Sequence, residues 1–405
     1  LVALILCPVL VYFNSLKGAF QFDDVDVLTQ YWVSDLNTFN KNVGFVFSKD
    51  GQFNLKLINT RPFLLLTFAL NNHLHQNQVF GFHLINLLIH VLVTILIFAI
   101  LRQSQTFLYA TGPNGAGSTA GRDQEEPSAY ASFALPLTAA LLFSAHPLAT
   151  SAVSYISSRS SILGTFFYLS GMYFSLRIFL VAENKHCLQQ RVFFGVLALL
   201  AFYFGLASKM TAATLPVMLA VWFYFIIGFR AFPGLRSLLF GRKALAIYGA
   251  CFLFLIVYVI RNFQHDKGLE LYGRIPYLLV QSKVILFYYL KLFLFPMNLN
   301  IDVGYAFTTF LQDFRIPVSI LVLLGSVSGV LILGGPFLKA ATLWFFLTLA
   351  PTSSLVPLND LAVEHRLYLP MSMGLCVVAS LAIMRMAGAY RLKFLALLIT
   401  LLASL

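Results

Sequence analysis

The sequence predicts an all-α protein with many membrane-spanning helices. Of its 405 residues, 59% are hydrophobic and only 10% are charged. A spanning helix needs about 20 apolar residues, and such stretches recur along the whole chain. Spanning β-strands would instead give segments of roughly ten residues with alternating polarity, and the sequence shows no such pattern. The composition therefore indicates a polytopic helical membrane protein.

We expect eleven spans. They are predicted at 1–13, 82–101, 132–146, 162–181, 192–207, 211–229, 244–260, 316–334, 341–356, 367–384 and 393–405. The chain is apolar at both ends, so the first and last spans look truncated and we expect the native chain to be longer. The segment 111–128, rich in Gly, Ser and charged residues, predicts a flexible loop.

The distribution of the basic residues predicts how these spans are oriented in the membrane. The loops 102–131, 182–191, 230–243, 335–340 and 385–392, with the adjoining span ends, carry 13 Lys and Arg against 4 Asp and Glu. The opposite set carries 14 against 11. Short basic loops lie in the cytoplasm, so the long loops 14–81 and 261–315 are predicted on the outer face. Membrane topology thus accounts for the net charge of +12, and no nucleic-acid partner is expected.

Both long outer loops contain an apolar segment that is too short to span. These segments are 58–78 and 284–298. Helices of that length lie along the membrane surface or fold back into it. We therefore expect them to cover a cavity at the outer leaflet.

The stretch GAFQFDDVDV places Asp23 and Asp24 where the first span emerges on the outer side. One interpretation is a solvated loop start or a helix N-cap, both of which aspartate favours. The other is a general base or a metal ligand at the membrane interface, which must reach an acceptor hydroxyl directly or through one water. We take these two aspartates as the candidate catalytic residues.

Four cations stand at the outer ends of different segments and are candidate phosphate ligands: Arg61, Arg159, Lys209 and Arg366. Each alone is typical of a snorkelling side chain or a helix-end partner. If they converge, the arginines can bind phosphate oxygens bidentately and the lysine adds a point charge. Cations there would also stabilise a departing phosphate.

Further polar residues are weaker site candidates. His83, Asn86 and His90 share one face of a predicted span, and we assign His90 to bonding between helices while keeping His83 as a site candidate. His146 precedes a proline and is typical of a helix terminus, although it is retained as a candidate. Glu364 either neutralises Arg366, orients it or acts as a second carboxylate, and His365 lies between them.

No strong cofactor motif accompanies these residues. The four cysteines form neither a disulfide framework nor a CxxC pair. A Walker-type phosphate loop is absent, and no HExxH spacing occurs. We therefore predict no certain cofactor and no defined metal site, while a divalent metal stays compatible with the sequence.

Six segments carry a family resemblance through their order: FNSLKGAFQFDD, TRPFLLLTFALN, FHLINLLIHVLV, HPLATSAVSYISSRSSIL, LASKMTAATLP and VEHRLYLPMSMG. This set resembles the membrane part of the transmembrane and tetratricopeptide-repeat-containing O-mannosyltransferases and their bacterial relatives. It covers about residues 10–385. More broadly, the chain is similar to the C-type (GT-C) glycosyltransferases, which include the protein O-mannosyltransferases.

The resemblance implies that residues 1–405 form one GT-C catalytic domain, with a polyprenyl-phosphate sugar donor bound from the membrane lipid and a protein hydroxyl as acceptor. It assigns catalysis to Asp23 and Asp24, and it matches Arg61 and Arg366 to family arginines. Only Arg159 carries over from the motif after the third span. The tetratricopeptide repeats lie outside this sequence, which leaves the choice of acceptor open.

The function expected from these features is inverting transfer of a sugar to a Ser or Thr hydroxyl on the periplasmic or luminal side. The expected location is a bacterial inner membrane, or the endoplasmic reticulum membrane in a eukaryote. Three alternatives remain: a transporter or flippase of lipid-linked sugars, an O-antigen-type ligase with a diphosphate donor, and a non-catalytic membrane anchor for a repeat domain. A transporter would favour broken or charged mid-span segments, whereas the ionisable residues here gather at span ends.

Overall fold

The computed structural model describes residues 1–25, 61–76, 78–111, 129–180, 187–227, 271–309, 311–354 and 357–389. Over these ranges the chain forms helices joined by turns and contains no strand, which confirms the all-α prediction. The predicted spans 244–260 and 393–405 and nearly all of the loop 111–128 lie outside them.

The main helices follow the apolar segments of the sequence. In chain order they are α1 (Val2–Tyr12), α2 (Pro62–His75), α3 (Val79–Thr111), α4 (Ala129–Ala145), α5 (Arg159–Leu180), α6 (Cys187–Leu206), α7 (Leu215–Trp222), α8 (Arg274–Val284), α9 (Arg315–Leu333), α10 (Pro336–Leu349) and α11 (Cys376–Ala389).

Short helical pieces connect or extend these helices. Pro147–Ala149, Thr150–Val153 and Ile156–Ser158 join α4 to α5, and Met210–Thr214 precedes α7. Glu364–Leu367 and Tyr368–Pro370 stand before α11. Wider π-helical turns occur at Phe223–Ile227, Ile285–Leu290 and Met371–Leu375, and such turns are frequent near functional sites.

Within the described residues, six helical stretches are long and apolar enough to cross a membrane: Val79–Leu108, Leu188–Leu206, Met210–Ile227, Arg274–Leu294, Arg315–Leu333 and Glu364–Met386. The pair Phe133–Ala145 and Pro147–Val153, bent by 55°, makes a seventh if it is one broken span. The predicted spans 1–13 and 341–356 correspond to the shorter apolar helices α1 and α10, and 162–181 corresponds to α5. The membrane character is supported, whereas eleven spans are not confirmed.

The prediction that 284–298 is too short to span was wrong. The helix begins ten residues earlier, and the stretch Arg274–Leu294 has 21 residues. The sequence prediction started the segment too late because it took two polar residues as the end of the apolar stretch. In the structure both are buried and paired with distant partners. Gln281 donates to the Leu361 carbonyl at 2.8 Å, and Lys283 forms an ion pair with Asp313 at 3.1 Å. The other short segment, 58–78, does form a helix of only 14 residues, α2.

The core lies where α3, α4, α5, α10 and α11 pack together. At its centre, Trp344 meets Tyr168 edge to face at 5.3 Å and Trp222 at 6.0 Å. Both indole N–H groups are satisfied: Trp222 donates to Ser104 at 2.9 Å, and Trp344 donates to the Leu369 carbonyl at 3.0 Å. The second bond ties α10 to the segment 364–370, which carries several of the candidate site residues.

His90 joins three helical segments in this core, which confirms its interpretation as an inter-helical residue. One ring nitrogen contacts the Ser144 carbonyl at 3.2 Å, so that nitrogen carries the proton. The other ring nitrogen accepts from the Tyr368 hydroxyl at 2.6 Å.

Replacing His90 with leucine should lower stability without touching the candidate site. The change leaves the Tyr368 hydroxyl and the Ser144 carbonyl unpaired in the core, at a cost of about 2 kcal/mol. Thermal unfolding of the purified protein in detergent measures this loss of stability. His73→Leu, the same change at an exposed position, is the control, and equal melting temperatures for the two variants would contradict this role.

Candidate active site

Asp24 is a buried carboxylate held against the start of another helix. It follows the turn that ends the first helical segment and is only 1% exposed. Its Oδ1 accepts from the backbone N–H of Ser157 at 2.7 Å and from the Ser157 hydroxyl at 2.8 Å. Its Oδ2 accepts from the backbone N–H of Gln21 at 3.0 Å. Asp24 is therefore not a solvated loop residue, and its carboxylate caps the short helix that leads into α5.

Asp23 is exposed and is held differently. Its backbone N–H donates to the Tyr155 hydroxyl at 3.3 Å. Burial, followed by the negative charge of Asp23, raises the pKa of Tyr155 to about 12. The preceding residue, Phe22, has a left-handed backbone with φ of 46°, a conformation that costs an L-residue about 1–2 kcal/mol. Such conformations concentrate at functional sites, and this one adjoins the predicted catalytic pair.

Arg159 is buried and fully engaged with the protein. Its guanidinium donates to Asn86 Oδ1 at 2.8 Å, to Asn71 Oδ1 at 2.7 Å, and to the carbonyls of Thr67 and Phe82 at 3.3 and 3.1 Å. It also lies over the Phe68 ring, 4.4 Å from the centroid. These contacts join α5 to α2 and α3. With these donors already in use, we leave Arg159 out of the phosphate-binding group.

Of the other three predicted cations, Lys209 and Arg366 line the same pocket, and the charge of Arg61 acts on Lys209. Arg61 is the N-cap of α2, Lys209 precedes the helix Met210–Thr214, and Arg366 lies on the turn Glu364–Leu367. Burial, followed by the positive charges of Arg61 and Arg366, lowers the pKa of Lys209 from 10.5 to about 7. Uncompensated like charges held this close favour an anion between them.

Lys209 and Arg366 line a small pocket together with several hydroxyl groups. Its walls are formed by Ser161, Thr165, Lys209, Thr211, Thr348, Thr352, His365, Arg366, Leu369 and Pro370. Cations and hydroxyls are the side chains that bind phosphate oxygens. Among the described residues that line the pocket there is no carboxylate to neutralise the two cations.

A glycine allows Lys209 to reach this position. The ammonium donates to the Ser161 hydroxyl at 2.6 Å. A Cβ at Gly164, one turn further along α5, would stand 2.9 Å from the Lys209 Cβ. Because real Cβ atoms do not come this close to a neighbour, only glycine at 164 lets the Lys209 loop lie against α5.

Asp24 and one of the cations, Lys209, are held by the same short segment of the chain. Asp24 binds Ser157 and Lys209 binds Ser161. Ser157 lies on the short helix Ile156–Ser158, and Ser161 lies four residues later, in the first turn of α5. The structure therefore fixes Asp24 and Lys209 through one stretch of five residues.

Three further candidates are His146, Glu364 and His365, and of these only His365 lines the pocket. His146 caps the helix Pro147–Ala149, with one nitrogen accepting from the Leu148 N–H at 3.2 Å and the other contacting the Phe293 carbonyl at 3.0 Å. Glu364 accepts from the Asn300 N–H at 2.8 Å and the Tyr288 hydroxyl at 3.1 Å, so it contacts the second long loop rather than Arg366. His365 lines the pocket.

His83 lies elsewhere, on α3 near Asp24. It is buried and feels the charges of Asp24 and Arg159. Among the described residues, no group of three or more His, Cys, Asp or Glu side chains is arranged to hold a metal ion.

Sequence reasoning missed the neutral residues of the site. Ser157, which holds Asp24, and Ser161, which holds Lys209, flank Arg159 in SSRSS. Thr348 lies in the last turn of α10, and Thr352 lies in the turn that follows this helix. In the sequence, only their positions near the charged candidates could have pointed to these hydroxyl residues. Serine and threonine are so common that this proximity does not identify site residues unless the fold is known.

Replacing Arg159 with methionine should destabilise the protein strongly. The change leaves two amide oxygens and two carbonyls without donors in the interior, and hydrogen bonds to a charged group contribute about 1.5–3 kcal/mol each. We expect a loss of at least about 3 kcal/mol, measured by denaturant unfolding in detergent. Arg102→Met, at an exposed position over the Phe133 ring, is the control. Similar stabilities for both variants would show that the buried network is not needed.

Comparison with known proteins finds distant relatives of one kind. The chain is 22% identical over 424 aligned residues to protein O-mannosyl-transferase F38B6.6 of Caenorhabditis elegans, covering 96% of this chain and 52% of that protein. It is 29% identical over 177 residues to Protein O-mannosyl-transferase Tmtc3 of Drosophila melanogaster, covering 42% and 18%. With Protein O-mannosyl-transferase TMTC4 of Mus musculus it shares 25% over 225 residues, covering 54% and 28%.

The chain therefore spans about half or less of the length of these relatives. No protein-family model matches it, and no solved structure is significantly similar to it. All three relatives are animal proteins, so the expected bacterial origin is not confirmed. The relatives support a TMTC-like family and, with it, a glycosyltransferase-like function for this membrane protein.

Proposed function

We propose that the chain transfers a sugar, with mannose the first candidate, from a polyprenyl-phosphate donor to a Ser or Thr hydroxyl of a protein. One observation supports this proposal: Asp24 and Lys209, a residue of the cation pocket, bond to Ser157 and Ser161, which are four residues apart in the chain. A carboxylate on one side and a phosphate site on the other is what a sugar-transfer reaction requires. The names of the relatives support the same reaction class.

The proposed reaction is a single displacement at the anomeric carbon. Asp24 takes the proton of the acceptor hydroxyl while that oxygen bonds to the anomeric carbon. The bond from this carbon to the phosphate oxygen breaks, and the lipid phosphate leaves with the electron pair. Attack opposite the leaving group inverts the configuration, and the partly cationic sugar of the transition state suits a nearby carboxylate.

The pocket supplies what the departing phosphate needs. As the bond breaks, negative charge grows on the phosphate oxygens, and Arg366 and Lys209 are already in place to stabilise it. Arg61 adds positive charge from the start of α2, and the threonine hydroxyls of the wall add neutral donors. We propose that the lipid tail stays in the membrane and that the acceptor arrives from the periplasmic or luminal side, where the basic-loop pattern puts Asp24.

Replacing Asp24 with asparagine tests the base. Asparagine keeps the shape and an oxygen for the Ser157 bonds but cannot take a proton, so we expect kcat to fall by about 10²–10⁴. Transfer of radiolabelled mannose from a polyprenyl phosphate to an acceptor peptide measures it. Asp23→Asn is the matched control and should lose less, because the Asp23 side chain is exposed. Full activity of both variants would remove the catalytic assignment.

Donor binding should weaken as the pH rises through about 7. Burial and its cationic neighbours lower the pKa of Lys209 to about 7, so Lys209 is charged below this pH and neutral above it. Only the charged form attracts phosphate, and we expect the KM for the donor to increase between pH 6 and pH 8. In Lys209→Gln the KM should be high at both pH values. A donor KM that does not change with pH in the unmodified protein would contradict this role.

A further inference from the structure

His83 differs from the other buried histidines of the described chain. His90 and His146 each contact partners through both ring nitrogens. His83 is 2% exposed, yet neither of its ring nitrogens has a hydrogen-bond partner among the residues that the structure describes. Leaving a buried polar group unpaired lowers stability. An imidazole in that state therefore points to a ligand group that completes it.

The ring lies beside the candidate catalytic carboxylate. Arg159 donates to the carbonyl of Phe82, the residue before His83, and Ser157, two residues before Arg159, holds Asp24. On one side it contacts the connection after α1, where a Cβ at Gly18 would stand 2.9 Å from His83 Nε2. Gly18 has an ordinary φ of −62°, so its lack of a side chain gives space for the ring rather than freedom for the backbone.

The hydrogen-bond donors and acceptors that remain on Asp24 and His83 indicate which ligand group would fit between them. Each carboxylate oxygen has two acceptor positions. Asp24 Oδ1 already accepts two bonds, whereas Oδ2 accepts only the bond from Gln21 among the described residues. Within that part of the chain one acceptor position is free on Asp24, and a neutral imidazole offers one N–H donor and one acceptor. A hydroxyl group, which donates one hydrogen and accepts another, matches this set.

We propose that His83 contacts a substrate hydroxyl that binds between its ring and Asp24. The hydroxyl donates to Asp24 Oδ2, and its oxygen accepts the N–H of His83. This inference rests on the proposed function. The hydroxyl belongs either to the acceptor Ser or Thr or to the sugar of the donor, and both present the same chemistry. His83 is then a substrate-binding residue of the reaction, and its free nitrogens mark the place of the hydroxyl.

The test combines activity with stability, because a structural histidine and a substrate-binding histidine respond differently. In His83→Leu the unpaired nitrogens are removed, so the melting temperature without substrate should equal or exceed that of the unmodified protein. The same variant should lose at least tenfold in kcat/KM. His83→Asn should recover part of this activity, because its amide also has a donor and an acceptor.

Separate titration of the two substrates identifies the hydroxyl. A larger KM for an acceptor peptide would assign it to Ser or Thr, and a larger KM for the polyprenyl-phosphate mannose would assign it to the sugar. Either result supports the proposal. Unchanged kcat/KM for both substrates in His83→Leu would overturn it, and so would a loss of activity together with a lower melting temperature.

A second pair of variants covers the case in which His83→Leu does not fold. Gly18→Ala places a methyl group against His83 Nε2 and should reduce kcat/KM, whereas Gly195→Ala, with no neighbour within 4 Å, should not. Equal activity of these two variants would count against the proposal.

The experiments distinguish a failure of the proposed function from a failure of the proposed role of His83. If the unmodified protein transfers no sugar, the proposed function fails and this inference falls with it. If the unmodified protein is active, Asp24→Asn is inactive and His83→Leu is fully active, only the inference fails.

Discussion

The arrangement of the site depends on one buried arginine. The guanidinium of Arg159 is fully buried at the start of α5 and bonds to groups on α2 and α3. Burying a charge is costly unless hydrogen bonds replace its water, and here four such bonds and two aromatic faces do so. The network fixes where α5 begins. The serines two residues before and two residues after it then hold Asp24 and Lys209.

Charge is separated across this short distance. Asp24 accepts from backbone and hydroxyl donors, whereas the pocket lining, as far as the structure describes the chain, contains cations and hydroxyls but no carboxylate. Acidic groups that could have neutralised the pocket bond elsewhere: Glu364, two residues from Arg366, holds the second long loop instead. In the proposed reaction this separation stabilises an anion on one side and allows a proton transfer on the other. This charge separation is why we propose a transferase rather than a membrane anchor.

Hydrogen bonds from α8 and α10 support the wall of the pocket. Trp344 on α10 bonds to the Leu369 carbonyl, and Leu369 belongs to the pocket wall. Tyr277 on α8 donates to the Thr352 carbonyl at 3.0 Å, directly beside the same pocket. Many polar groups in these helices are paired across the core, as His90 illustrates. The unpaired ring of His83 and the left-handed backbones of Phe22 and Arg61 are exceptions at the predicted site residues or next to them, and further exceptions occur elsewhere, for example at Gln281 and Asn298.

Much of the fold was predictable because apolar length is a local property. The helices at 82–101, 192–207, 211–229, 316–334 and 367–384 follow directly from it. The exception, α8, shows the limit: Gln281 and Lys283 read as polar surface, but Leu361 and Asp313 pair with them inside the protein. A sequence does not display a partner that is 30 or 80 residues away.

The sequence by itself determined that this is a helical membrane protein with an acidic pair and several cations at span ends, because hydrophobicity and charge are properties of single residues. Only the tertiary structure decided which of these charges face one another. Arg159 looked equivalent to Arg366 in the sequence, yet one is satisfied inside the protein and the other lines a pocket. The reason is that a charged side chain takes its role from the donors and acceptors around it, and these come from distant parts of the chain.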